Sequence, residues 1–181
     1  RHERGGGAPR CRRPPPPLRC GMRAPPVLRL TPDVRAARDA GRPIVVLESS
    51  VLAQGLPIPA NREAAERMTG AVVRAGAVPA VTAVVRGVPT LGLEPDELAR
   101  FLARDGVRKV SARDLAAAML HGHDGATTVA ASLALGAAAG CEVFATGGIG
   151  GVHREAPGSD PATWVRDESA DLPELARSPM I

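Results

Sequence analysis

The sequence predicts a layered α/β fold around a mostly parallel sheet, and three observations carry that expectation. Residues 43–47, 78–85 and 141–145 are short apolar runs, the first two continuous and β-branched like strands buried on both faces of a parallel sheet. Between them lie segments with helix-start signals and glycine stops, so strand and helix alternate along the chain. With two Phe, one Trp and no Tyr, the core must be built from Val, Leu, Ile and Ala.

Each element follows from local chemistry. Residues 1–26 are Arg, Pro and Gly with almost nothing apolar; such a composition cannot offset the entropy of folding, and a disordered segment is expected there. Met22 precedes more ordinary sequence, so residues 1–21 are read as upstream of the functional start, with an Arg-rich targeting or nucleic-acid arm as the alternative. The domain is expected over 27–181. Thr31 is an N-cap, Pro32 occupies N1, and the helix runs to Gly41. The strand at 43–47 then delivers Glu48, Ser49 and Ser50 at its carboxyl end. Residues 53–61 read as a proline-punctuated loop, and 62–75 as a helix with Ala65, Met68, Val72 and Val73 on one face. Residues 78–85 form a strand despite Pro79, 86–89 a turn, and 96–102 a short helix. A strand edge near 106–110 feeds a helix capped by Ser111. Residues 129–139 form an Ala-rich helix, 141–145 a strand and 173–177 a last helix. Residues 180–181 open a further strand, which makes the sheet incomplete at that end.

Composition narrows the function. The formal charge of +4 is concentrated in the arginines at the head of the chain, leaving the globular part close to balanced. The scarcity of aromatic rings removes the stacking platforms that hold single-stranded nucleic acid, and no nucleic-acid partner is expected. Cys11, Cys20 and Cys141 form no C-x-x-C pair, which indicates neither a zinc site nor a disulfide framework. No apolar run reaches the ~18 residues of a membrane span, so no membrane partner and a cytoplasmic location are expected.

Four glycines within 147–151 follow the strand at 141–145, with His153 and Arg154 beside them. Such a loop can turn backbone N–H groups toward an oxyanion, or serve only as a turn; neither the P-loop nor the dinucleotide spacing is present. Ligands of open α/β sheets sit at the carboxyl ends of strands. Glu48 at such a mouth would be partly desolvated, as suits a general acid, or would be a cap or ion-pair partner. Lys109 and Arg113 either grip a phosphate or are solvated charges, and Thr127 and Thr128 either cap a helix or bind a ligand.

Four motifs taken in order, residues 47–57, 109–115, 125–131 and 144–154, resemble the pseudouridine-5'-phosphate glycosidase family, which includes the indigoidine-synthase-A proteins. The resemblance covers about 27–181. It implies an α/β/α fold, a homotrimer, a divalent metal such as Mn²⁺, and reversible cleavage of pseudouridine 5'-phosphate to uracil and ribose 5-phosphate through a lysine Schiff base. By motif match Glu48 is the proton donor, Lys109, Val129, Ser169, Ala170 and Asp171 contact substrate, His153 lies near phosphate and sugar, and Asp167 is the metal ligand. Two departures stand out. Extra residues around 157–164 separate His153 from Asp167. The family's Schiff-base lysine falls in an Ala-Gly-Ala-Lys context beyond Ile181, so the expectation is an N-terminal part of the enzyme that is inactive alone. The alternative is a non-catalytic sugar-phosphate or nucleotide binder.

Overall fold

The computed structural model describes residues 28–154, 158, 160, 162 and 167–181; the expectations for 1–26 and most of 157–164 lie outside them. The elements are β1 (Arg29–Leu30), α1 (Pro32–Asp39), β2 (Ile44–Leu47), α2 (Ala60–Arg74), β3 (Val78–Val85), β4 (Val88–Leu91), α3 (Pro95–Ala103), β5 (Arg108–Val110), α4 (Leu115–Leu120), β6 (Gly125–Thr127), α5 (Val129–Ala138), β7 (Val143–Ala145) and α6 (Asp171–Arg177). The strands form a single sheet with β1-β4-β3-β2-β7 as its main path and β6 bridging β3 to β5. Four pairings are parallel; β3 pairs antiparallel with β4 and with β6. The expected layered, mostly parallel architecture is present.

Strand alternation divides the core into layers. Val46, Val78 and Ala80 face α1 and α5 and pack with Val34, Ala37 and Leu135. Leu47 and Val81 face the other way, against Leu52, Ala65 and Leu102, while Ala83 and Val85 meet Phe101 on that side. The helix face expected at Ala65, Met68, Val72 and Val73 is correct except at Val73, which is 60% exposed.

Three local expectations change. The turn at 86–89 shrinks to Arg86 and Gly87, both at positive φ (48° and 79°), the backbone of a tight hairpin; Val88 and Pro89 belong to β4. The loop expected from residue 53 begins as a π-helical turn, Val51–Gly55, held by Asn61. The Asn61 side-chain amide donates to the carbonyls of Leu52 (3.0 Å) and Leu102 (2.8 Å). Gly125 to Thr127, read as the approach to a helix, forms β6.

The arrangement of β2 and β6 positions the site. Even-numbered residues of β3 turn their backbone groups to one edge: Val78 N–H donates to Pro43 C=O (2.9 Å), and Val84 pairs with Gly125. Val81 C=O on the opposite edge accepts from Gly92 N–H (3.0 Å). Thus β2 and β6 share one edge of β3. One runs parallel to β3 and the other antiparallel, so their carboxyl ends meet. The same parity explains Pro79, which has no N–H to offer but stands where β2 needs none.

Candidate functional site

Where the two strand ends meet, four hydroxyls close the gap. Ser49, Thr82, Thr127 and Ser132 are fully buried. Thr127 N–H donates to Ser49 Oγ (2.9 Å), Thr127 Oγ1 donates to Thr82 C=O (2.8 Å), and Thr82 Oγ1 lies 2.8 Å from Thr127 Oγ1 and 2.7 Å from Ser132 Oγ. Of the two readings of Thr127, neither holds: it knits β2 and β6 to β3 and α5.

A cleft of about 650 Å³ opens above this junction. Glu48, Lys109, Val129, His153, Asp167, Ser169, Ala170 and Asp171, all eight residues expected from the sequence, line it. Glu48, only 6% exposed, is neither a cap nor an ion-pair partner among the described residues: Ser50 Oγ donates to its Oε2 (2.7 Å) and Thr146 Oγ1 to its Oε1 (2.5 Å). These two donors offset the desolvation of the carboxylate. Facing it, Lys109 is exposed at the end region of β5 and carries no ion pair among the described residues. Arg113 lies on the rim, with a loose contact to Asp114 (3.9 Å).

Val129 is buried, and it is the first residue of α5, so its N–H has no partner within the helix. Thr128 occupies the N-cap without making a side-chain cap bond, and its Oγ1 is buried with no partner among the described residues. Capping comes from afar. Asp171 Oδ1 accepts from Ala130 N–H (2.9 Å), while its Oδ2 accepts from Gly150 N–H (2.8 Å). One carboxylate 8% exposed therefore ties the glycine loop to the start of α5.

The glycine loop runs back along residues 167–169. His153 N–H donates to Asp167 C=O (3.0 Å), Ser169 N–H donates to Gly151 C=O (3.0 Å), and Val152 bridges Glu168. None of Gly147, Gly148, Gly150 and Gly151 has a positive φ, so the conformational freedom expected of this loop is not what it uses. At Gly150 the need is space, because a Cβ would collide with Ser169 Oγ and stand 3.0 Å from Asp171 Oδ2. His153 and Asp167 lie on the exposed rim, with Nδ1 and Oδ2 3.4 Å apart.

For a metal, the described residues include no cluster of three or more His, Cys, Asp or Glu side chains with ligand geometry. Asp167 is a single accessible carboxylate, a donor suited to a hard divalent cation whose other ligands are water and ligand oxygens. Sequence reasoning missed the roles of Thr146 and Ser50; of the two readings given for Thr128, the side-chain cap bond is not made. Thr146 acts on Glu48 across 98 residues, a contact with no local signature.

These features define a layered α/β protein with a polar cleft at its strand ends, lined by a buried acid and by a lysine that makes no ion pair among the described residues. The chain belongs to the family described as indigoidine synthase A like protein, whose sequence model matches residues 33–181. It is 63% identical over 153 residues to the pseudouridine-5'-phosphate glycosidase of Gemmatimonas aurantiaca, covering 84% of this chain and 47% of that relative. The protein of the same name from Chloroflexus aurantiacus is 51% identical over 156 residues, covering 86% and 49%. Among solved structures, the prealnumycin C-glycosynthase AlnA in complex with ribulose 5-phosphate matches with a TM-score of 0.72 at 36% identity, over 86% of this chain and 48% of that one. An indigoidine synthase A-like protein from Thermotoga maritima matches with a TM-score of 0.67 at 30% identity, over 83% and 46%. The chain spans about half the length of the curated relatives it matches. No helix among the described residues is long and apolar enough to cross a membrane.

Proposed function

We propose that this cleft is the acid and phosphosugar side of a pseudouridine-5'-phosphate glycosidase site, which cleaves a carbon–carbon glycosidic bond to give uracil and ribose 5-phosphate. The observation that carries the reading is the meeting, in one cleft, of hydroxyl-held Glu48 with Lys109 and the open start of α5. The names of the relatives and the sugar phosphate bound by AlnA support it.

Breaking the C1'–C5 bond leaves its electron pair on C5 of the base, which must take a proton, while C1' must take the oxygen of water. No heteroatom leaving group exists, so the paired-carboxylate scheme of ordinary glycosidases does not apply. Glu48 is the proton donor. Its hydroxyl partners Ser50 and Thr146 can donate to the carboxylate or accept from the acid, so one pocket accommodates both forms. Lys109, the Thr128 hydroxyl and the Val129 N–H hold the phosphate, combining a point charge with the positive end of a helix. His153 serves the sugar from the rim, beside Ser169 and Ala170. Asp171, with both oxygens taken by backbone N–H groups, acts by holding Gly150 in place. Asp167 would hold a divalent cation such as Mn²⁺, which when bound supplies positive charge beside the phosphosugar.

The Schiff base is assigned to a lysine outside these 181 residues. Lys109 is the sole lysine here, and phosphate binding occupies it. A cytoplasmic homotrimer completes the proposal. The 181-residue chain given pseudouridine 5'-phosphate and Mn²⁺ should release no uracil above background, yet bind ribose 5-phosphate in calorimetry. Uracil release would refute the assignment of the lysine, and absence of sugar-phosphate binding would refute the phosphosugar site. In a full-length fusion with the rest of a relative, Glu48→Gln should lower kcat by about 10²- to 10⁴-fold while ribose 5-phosphate affinity holds.

A further inference from the structure

Thr146 stands between the buried acid and the glycine loop, and its hydroxyl faces more acceptors than it has hydrogens. Thr146 Oγ1 lies 2.5 Å from Glu48 Oε1 and 2.8 Å from the Gly148 carbonyl oxygen, and it accepts from Gly148 N–H (3.2 Å). A hydroxyl gives one hydrogen and takes two. When Glu48 is ionised, its Oε1 and the Gly148 carbonyl are both acceptors and compete for that one hydrogen.

A proton on Glu48 Oε1 resolves the conflict. The acid then donates to Thr146 Oγ1, the Thr146 hydroxyl donates to Gly148 C=O, and Oγ1 is filled by its two donors, Glu48 and Gly148 N–H. Loss of that proton reverses the first bond. The Thr146 hydroxyl turns to the carboxylate, because a hydrogen bond to a charged oxygen is stronger than one to a neutral carbonyl, and Gly148 C=O is left to water. Gly148 is exposed, so water reaches it readily. Ser50 has no such conflict, since its hydroxyl serves Glu48 Oε2 alone among the described residues. Thr146 is also what holds the loop tip: beyond its hydroxyl, residues 147–149 make no hydrogen bond among the described residues.

We propose that Thr146 is a positioning residue that couples the proton on Glu48 to the tip of the glycine loop, bonding Gly148 C=O when Glu48 is an acid and releasing it when Glu48 is a carboxylate. The consequence for catalysis rests on Glu48 being the proton donor. As the proton passes from Oε1 to C5 of the base, where the electron pair of the broken C1'–C5 bond receives it, the Thr146 hydroxyl turns to the carboxylate left behind and frees the loop tip. The other charged groups of the cleft are Lys109, Arg113 and Asp114 toward β5, and His153, Asp167, Glu168 and Asp171 toward the loop. None of them bonds Glu48 or Thr146 among the described residues. Asp171 binds Gly150 N–H rather than Gly148, so its titration reads at a different amide.

A pH titration of the 181-residue chain followed by carbon NMR tests this. The Gly148 carbonyl should shift with the same midpoint as the Glu48 side-chain carboxyl. Thr146→Val should abolish the Gly148 response while Glu48 still titrates, and Thr146→Ser should restore it. Glu48→Gln removes the titrating group and should leave the Gly148 carbonyl flat over the same range, a check that stands even where Thr146→Val fails to fold. A Gly148 midpoint different from that of Glu48 overturns the proposal, as does a response that survives in Thr146→Val or Glu48→Gln. None of these signals needs turnover, so an inactive full-length fusion would count against the proton-donor role of Glu48 and not against the coupling. In an active fusion, Thr146→Val should lower kcat by about tenfold and displace its pH profile while KM changes by less than about twofold, with Thr146→Ser recovering both. Equal losses in the two variants would overturn the catalytic consequence.

Discussion

On the β2–β6 side of the cleft, four fully buried hydroxyls, from β3, β6, α5 and the turn after β2, bond one another and the backbone. On the glycine-loop side, one carboxylate, Asp171, reaches across to bind two backbone N–H groups. The first wall is a lattice in which each group has several partners, and it shares the buried core with Leu47 and Val81. The second is a tether at the edge of solvent. The difference teaches how the cleft can combine a fixed floor with an adjustable side: the acid Glu48 stands on the lattice, yet its Thr146 partner belongs to the tethered loop.

The largest expected disturbance is Thr127→Val. It removes a hydroxyl that donates to Thr82 C=O and lies 2.8 Å from Thr82 Oγ1, taking a partner from the Thr82 carbonyl at a fully buried position. Chemical denaturation should show a global loss of about 3 kcal/mol, with Thr127→Ser recovering most of it. A loss under 1 kcal/mol would show that the lattice is not what joins the strands.

Asp171→Ala comes next, at about 2 kcal/mol, because water from the cleft can reach Gly150 and Ala130 once the carboxylate is gone. The loss should be local: proteolysis within 147–152 should accelerate while the cooperative unfolding of the β2–β3 core keeps its slope. A uniform loss of protection would make the two walls equivalent.

The smallest effect probes the underside of β7 without altering it. Burial pushes the Cys141 thiol up to about 11 against an ordinary 9.0, opposed by nearby Arg38. In a Cys11→Ser, Cys20→Ser background, alkylation at pH 8 should be about 100-fold slower in the folded than in the unfolded chain, since only the thiolate reacts. Because the folded-state value is the higher one, the thiol's contribution to stability is complete below pH 9 and is lost between pH 9 and 11. Equal alkylation rates would mean that this end of β7 opens as readily as the glycine loop.

Much of the fold was legible because it is local. Residues 44–47 and 78–85 are strands by composition; Pro32 marks the first turn of α1, where Thr31 makes no side-chain cap bond, and Ser111 forms a capping box with Asp114 on the short turn that leads into α4. The short strand β6 has only three residues, too few for a periodic signal, and β4 begins with the Val88-Pro89 that also suits a turn. At the site, the eight residues given roles by motif match all line one cleft, which brings them together without testing those roles. What each one touches was not legible. Asp171 is spent on Ala130 and Gly150, 41 and 21 residues away.

The sequence by itself determined an aliphatic α/β chain, its family, and a carboxylate at the mouth of its first long strand. Tertiary structure alone decided that β2 and β6 meet end to end on one edge of β3, that Thr146 comes to Glu48, and that Asp171 joins the glycine loop to the start of α5. The physical reason is range. Apolar runs and caps act over a few residues, whereas the pairing of strand ends is settled by which edges and faces can be buried together once all the strands are in place.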